Sequence, residues 1–352
     1  MTAFFRNTTQ KTMDGDVPDT PPILVVPSEQ DRPRWTQLNK EVAAVKEAMQ
    51  QRQSNRDKAF EEWLTSVARR TLTSPVDPGS QLLSLFIGDD VRVVAKDTKA
   101  SVELSDGVTL GIGTTANRRA LHFGKEASLD LPSVDYFSAD RPFSVAVWVY
   151  QPNDDGAFTV MSQSDPKDQF RGWAIQIGGR IATFKLVGNE GKQIRIAAGN
   201  QEQLKPGTWN HLVATYDGSR EQAGLSLYLN GQSIQIEGAG DVVLNLKGDI
   251  RTTLPLQLGH EGPRFFEGGA IADLRLFKHA LSEEEIFLTS QWFTLDDARE
   301  KRPEQLTATE RAALHLHFLN YYATNYRKLT SKLQSSAAER RAIRKRGAVT
   351  HV

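Results

Sequence analysis

PGTWNHLVATYDG, residues 206–218, sets two turns around a run in which apolar and polar side chains alternate. Pro206 and Gly207 bend the backbone before the run, and Asp217–Gly218 tolerates the positive φ of a tight turn after it. A period of two sends Leu212, Ala214 and Tyr216 to one face and His211, Val213 and Thr215 to the other. A strand with one apolar face suited to a sandwich core has this pattern. Trp209 precedes the strand. Its ring is either packed over the sandwich edge or offered as a flat platform for a sugar.

The neighbouring sequence repeats the design. FSVAVWVYQP (143–152), WAIQIGG (173–179), IATFKLVG (181–188) and LSLYLNGQSI (225–234) are short runs rich in β-branched and aromatic residues, closed by Gly, Asn or Pro. Regular short strands with no helices between them predict an antiparallel sandwich or barrel over residues 81–291.

The flanks read differently. Residues 1–33 are turn-rich and carry most of their prolines in DVPDTPPILVVPSEQDRP (16–33), which predicts extended backbone. Over 34–72, Trp35, Leu38, Val42, Val45 and Met49 fall on one helical face, and Phe60, Trp63, Leu64 and Val67 resume it. One long helix or a broken pair fits this spacing, with SPVDPGS (74–80) as the stop. After the sandwich, Ser282 with Glu285 and Thr307 with Glu310 have capping-box spacing. Residues 304–352 continue as helix through a basic stretch, RRAIRKR (340–346), and end in AVTHV, the first residues of a strand.

Composition bounds the chemistry. With 352 residues, two bodies or one body with long extensions is expected. Forty-three basic and forty-three acidic residues cancel, so no global field argues for nucleic acid or an anionic membrane. The absence of cysteine excludes disulfides, thiolate metal sites, a cysteine nucleophile and covalent haem attachment within this chain. No apolar run reaches the length of a membrane span, and MTAFFRNTTQKTMDGD (1–16) lacks the apolar core of a signal peptide. The expectation is either an intracellular protein or a natural chain that begins upstream of Met1.

The central block resembles the LamG-like, concanavalin A-type jelly roll. QLLSLFIGDD (81–90), RALHFGKEASLDLP (119–132), PFSVAVWVYQP (142–152), KPGTWNHLVATYDG (205–218), LSLYLNGQSI and FFEGGAIADLRLFKHALSEEEI (265–286) follow one another in that family's order. TAFFRNTTQKTMDGDVPDTPPILVVP (2–27) resembles the tail of a domain found in large planctomycete-type, cytochrome-c-linked multidomain proteins. LTATERAALHLHFLNYYATNYRKLTSKL (306–333) with RAIRKRGAVTHV (341–352) resembles the lead-in to their C-terminal domain. The resemblance implies an exported or periplasmic protein in which haem belongs to a neighbouring domain outside this chain. It also brings in calcium, which some LamG-like domains bind.

Several residues are candidates for ligand contact. Trp173 and Arg171 follow a polar loop, SQSDPKDQF (162–170), whose Asp165, Asp168 and Gln169 could hydrogen-bond hydroxyls. Trp173 alternatively begins an inward row with Ile175 and Ile177. Phe265 and Phe266, beside His260, Glu261 and Glu267, form a second aromatic candidate of which only one ring is expected in the core. The acidic clusters at 88–90, 153–155 and 216–218 sit at turns and lack the spaced oxygen ligands of a self-contained calcium loop. His315 and His317 are two apart on a helix, a poor metal spacing.

No strand carries the paired carboxylates of a glycosidase, and there is no G-x-S-x-G elbow or phosphate loop. The expected function is therefore a non-catalytic module recognising a glycan or neighbouring protein domains. A structural spacer is the alternative and a polysaccharide hydrolase the third reading. Burial of the Trp173 indole would favour the spacer.

Overall fold

The computed structural model describes residues 23–54, 58–66, 76, 78–95, 98–115, 118–199, 203–234, 236–238 and 243–351. Most of the Pro-rich segment, Val67 and part of 74–80 lie outside them. In chain order the elements begin with β1 (Ile23–Val26), α1 (Arg32–Ser54) and α2 (Lys58–Thr65). Next come β2 (Gln81–Ile87), β3 (Val91–Ala95), β4 (Thr98–Ser101), β5 (Val108–Ile112), β6 (Arg119–Phe123) and β7 (Leu129–Leu131). They continue with β8 (Phe143–Tyr150), β9 (Ala157–Asp165), β10 (Arg171–Gly178), β11 (Ile181–Val187) and β12 (Gln193–Ala198). Then follow β13 (Trp209–Tyr216), β14 (Leu225–Leu229), β15 (Gln232–Ser233) and β16 (Ile236–Gly238). β17 (Leu256–Leu258), β18 (His260–Glu261), β19 (Arg264–Phe265) and β20 (Ala270–Phe277) complete the strands of this region. The chain finishes with α3 (Glu283–Ser290), α4 (Trp292–Ala298), α5 (Ala308–Tyr321), α6 (Thr324–Arg346) and β21 (Ala348–His351).

Backbone contacts divide these elements into two compact units, one spanning 73–293 and the other made of the described residues of 1–72 and 294–352. The second unit is thus discontinuous in sequence. Its two segments are joined by antiparallel pairing of β1 with β21, Val26 opposite Ala348 and Ile23 opposite His351. α1 packs on α6, with Leu38, Val45 and Met49 buried on the α1 side. Arg34 donates to both oxygens of Glu339 at 2.8 and 2.6 Å, and the Arg340 guanidinium lies 5.2 Å from the centre of the Trp35 ring. Both expected capping boxes are present: Ser282 with Glu285 at α3, and Thr307 with Glu310 at α5.

The described residues of 73–293 form a sandwich of antiparallel sheets flanked by α3. One sheet runs β15-β14-β13-β8-β20-β2-β3-β4, with β6 also pairing β20 and β5 pairing β6. The other runs β16-β12-β11-β10-β9-β17-β7. Between them Phe143, Trp173, Phe184, Tyr216, Leu258 and Phe266 belong to one continuous apolar core. Leu212, Ala214 and Tyr216 supply its β13 wall, in the phase that the alternation predicts.

The other face of β13 departs from a simple polar exterior. Val213 is fully buried with Ala146, Phe277, Leu281 and Ile286, because α3 returns across this sheet and covers it. His211 is buried on the same face, its ring centre 5.1 Å from that of Trp148. Among the described residues neither of its ring nitrogens has a hydrogen-bond partner, and burial pushes its pKa down to about 3, with Arg275 adding to the effect.

Candidate functional site

The outward face of the seven-stranded sheet carries a polar cleft. Strand register sets Ser162 of β9 beside Ala174 of β10, Ala174 beside Lys185 of β11, and Lys185 beside Arg195 of β12. A second row runs through Thr159, Gln176, Thr183 and Ala197. These positions share one face because side chains alternate along each strand, and the intervening Trp173, Ile175, Phe184 and Leu186 point into the core. Small residues on β10, Gly172 and Ala174, separate the longer side chains on either side. Gly172 has φ 140°, and a Cβ there would lie 2.0 Å from the Gln163 carbonyl oxygen, so no other residue fits.

The β18–β19 hairpin lies across β9. Ser162 Oγ donates to the His260 carbonyl at 2.9 Å, and Ser164 Oγ donates to Glu261 Oε1 at 2.9 Å. This places the buried Glu261 carboxylate over the sheet. Gln176 Nε2 donates to Oε2 at 2.6 Å, and Lys185 Nζ lies 2.8 Å from the same oxygen. The side chains of Lys185 and Glu261 are only 11 % and 2 % exposed, so the ion pair is a buried one. A charge so removed from water requires both its counter-charge and its hydrogen bonds.

Above this pair opens a cavity of about 400 Å³. Gln169 and Phe170 form one wall, Pro263 and Arg264 another, and Val187, Gly191, Gln193 and Arg195 line the remainder. Lys185 Nζ sits 5.4 Å from the centre of the Phe170 ring, a cation–π contact. Gln169 and Phe170 both have positive φ, 51° and 61°. Two consecutive non-glycine residues in this region are uncommon and mark a loop held in a specific shape. Phe170 N–H donates to the Asp165 carbonyl at 2.8 Å, and Asp165 Oδ1 accepts from Lys167 N–H at 2.9 Å. These bonds hold the loop that aims Phe170 at the cleft.

The structure scatters the residues singled out from sequence. Trp173 is 1 % exposed and packs edge-on against Phe137 at 5.1 Å, because it shares the inward phase of Ile175 and Ile177. No face of its ring is open to a sugar. Phe266 is likewise in the core, whereas Phe265 is half-buried against His260 at 4.7 Å. Trp209 is half-buried beside Tyr150 at 5.7 Å, on the outer face of the other sheet and so on the opposite side of the sandwich from the cleft. Arg171 pairs with Asp168 at 2.6 Å and also donates to the Arg251 carbonyl. Glu267 is exposed and accepts from Glu126 N–H at 3.3 Å.

Of the candidate region, Gln169 and Glu261 reach the cleft. Lys185, Gln176, Arg195 and Phe170 do so without having been singled out. Lys185 and Gln176 did leave a sequence signal, being long polar side chains in the middle of otherwise apolar strands, IATFKLVG and WAIQIGG.

The turn acids serve local roles: Asp217 Oδ1 accepts from Ser219 N–H at 2.9 Å, Asn153 Oδ1 accepts from Asp155 N–H at 3.2 Å, and Asp90 pairs with Arg92 at 2.6 Å. Among the described residues, no three His, Asp or Glu side chains gather in a group that could hold a metal ion, and no helix is long and apolar enough to cross a membrane. His315 and His317 pack into an aromatic cluster with Phe60 and Trp63.

A family model described as the concanavalin A-like lectin/glucanases superfamily matches residues 123–287. The sandwich is a concanavalin A-like jelly roll. That span holds every strand of the cleft and the hairpin over it. Among solved structures, the binding domain of Paraclostridial Mosquitocidal Protein 1 is similar with 17 % identity and a TM-score of 0.49, over 61 % of this chain and 53 % of that one. The binding domain of botulinum neurotoxin serotype D has 19 % identity and a TM-score of 0.45, over 61 % and 51 %. That of serotype G has 15 % identity and a TM-score of 0.43, over 61 % and 51 %. The chain thus spans about half the length of each of these structures. No curated protein matches it.

Proposed function

We propose that the jelly roll is a non-catalytic recognition module and that its ligand is a glycan held in the cleft over β10–β12. The observation that carries this reading is the Glu261 carboxylate, fixed by Lys185, Ser164 and Gln176 at the floor of an open cavity. A sugar needs several fixed donors and acceptors and one flat apolar wall. Glu261, Gln176 and Gln193 offer the first, and Phe170 the second. The cavity of about 400 Å³ lies within the range of small-ligand sites, about 300–1,000 Å³.

Glu261 is the single carboxylate among the described lining residues, and it is engaged by a lysine. Glycoside hydrolysis uses two carboxyl groups, so the arrangement supports binding over catalysis. The spacer reading is favoured by a different observation, the burial of Trp173 and Phe266. It leaves unexplained why a sheet face should fix a buried ion pair beneath an open cavity.

A glycan array probed with the full chain, with and without calcium, tests the reading. Specific signal is expected, falling about tenfold or more in Phe170→Ala and Gln176→Ala. An array silent under both conditions would return the module to the spacer reading. The wider setting, an exported cytochrome-c-linked protein, rests on the resemblance of the flanking sequences. An immunoblot of source cells stained in parallel for covalent haem checks it, the expected result being a haem-positive band well above the mass of this chain.

A further inference from the structure

Lys185 and Arg195 stand directly opposite each other on adjacent antiparallel strands, on the same face. Like charges so placed repel and destabilise a sheet. Glu261 neutralises one of them, at 2.8 Å from Lys185 Nζ. Arg195 has no ion-pair partner among the described residues, and its Nε is buried without a hydrogen bond. A buried guanidinium N–H left unmade is unfavourable. Arg264, exposed at the mouth, likewise has no carboxylate partner among the described residues. Among the described residues, the lining therefore carries three cations against one anion. A local arrangement that works against stability is the kind retained where a ligand completes it.

We infer that the cleft selects an acidic saccharide, one whose carboxylate or sulfate group is received by Arg195 and Arg264 while its hydroxyls meet Glu261 and Gln176. This rests on the cleft being the glycan site. A guanidinium presents its N–H groups in a fork that matches the paired oxygens of either anion. An anionic group there would pair with the Arg195 guanidinium and offset its repulsion with Lys185 in one contact. A neutral sugar would do neither.

The full chain is titrated with a uronic acid oligosaccharide panel, with the same oligosaccharides after reduction of their carboxylates, and with sulfated neutral oligosaccharides. Binding is expected to the uronate or the sulfated set, weakened at least about tenfold by carboxyl reduction or removal of sulfate. The two acidic arms tell carboxylate from sulfate. Arg195→Gln should lower acidic-ligand affinity about tenfold or more. Arg264→Gln, at an exposed position, should lower it in the same direction without altering the melting transition. Equal binding of reduced and acidic ligands, unmoved by either variant, would overturn the inference and leave the glycan reading standing. Binding to no member of any set would overturn both.

Discussion

Replacing Glu261 by Gln tests whether the floor of the cleft is built as a coupled ion pair. The substitution keeps the shape and removes the charge. Lys185, with its side chain 11 % exposed, is then left charged without its counter-ion. Taking one partner from a buried pair costs about 3–5 kcal/mol, much of it the penalty for the stranded charge. The cleft admits water on one side, so we expect the lower end, about 3 kcal/mol. Lys185→Met strands the carboxylate and should destabilise by a similar amount, softened by the bonds from Ser164 and Gln176 that remain. Combined, the two changes leave no buried charge. Their joint effect should fall about 2 kcal/mol or more short of the sum of the singles. Urea unfolding of the full chain, read by hydrogen exchange of peptides covering β10–β12, isolates the sandwich from the helical unit. Singles that simply add, within about 0.5 kcal/mol, would refute the claim that the pair acts as one element.

Three further outcomes follow from the packing. Trp173→Ala should lose about 3–5 kcal/mol as a core truncation; Trp173→Phe should lose much less, since among the described residues the indole N–H has no partner to forfeit, and chemical denaturation separates the two. Gly172→Ala should destabilise by more than about 3 kcal/mol through its φ of 140° and the clash with the Gln163 carbonyl, and a melting temperature within a degree of the parent would contradict this. Burial keeps His211 neutral in the folded state with a pKa lowered to about 3, against about 6.5 when unfolded. Its contribution is therefore complete above about pH 6.5 and is lost as pH falls from there towards 3, at up to about 1.4 kcal/mol per pH unit. His211→Phe should flatten that slope between pH 6.5 and 4.5 in denaturation curves, with His317 of the helical unit, lowered to about 4 by its own burial, left to titrate.

The strands were legible in sequence because alternation and turn residues are local signals. So were both capping boxes, whose partners lie three residues apart. The fate of the aromatics was not. Trp173 follows a polar loop like any exposed platform, and only the phase it shares with Ile175 and Ile177 reveals that it points inward. The cleft was hidden for a different reason. Ser162, Ala174, Lys185 and Arg195 become neighbours through pairing across four strands, and Glu261 joins them from a hairpin some seventy-five residues beyond Lys185. Nothing in any one stretch records those adjacencies. The burial of His211 was equally non-local, since α3, which covers its face of the sheet, comes about seventy residues later.

The pairing of β1 with β21 bears on how the protein is made. Helices α1 and α2 leave the ribosome first, but their partners α5 and α6 lie beyond the whole sandwich. At about 5–20 residues per second, residues 73–293 take roughly ten to forty-five seconds to synthesise. Through that interval Leu38, Val45 and Met49 have no α6 to rest against. A nascent chain arrested within α6, with β20 already clear of the exit tunnel, should therefore protect the sandwich from protease while α1 is cut freely. The sandwich would be finished while α1 still waits for α6.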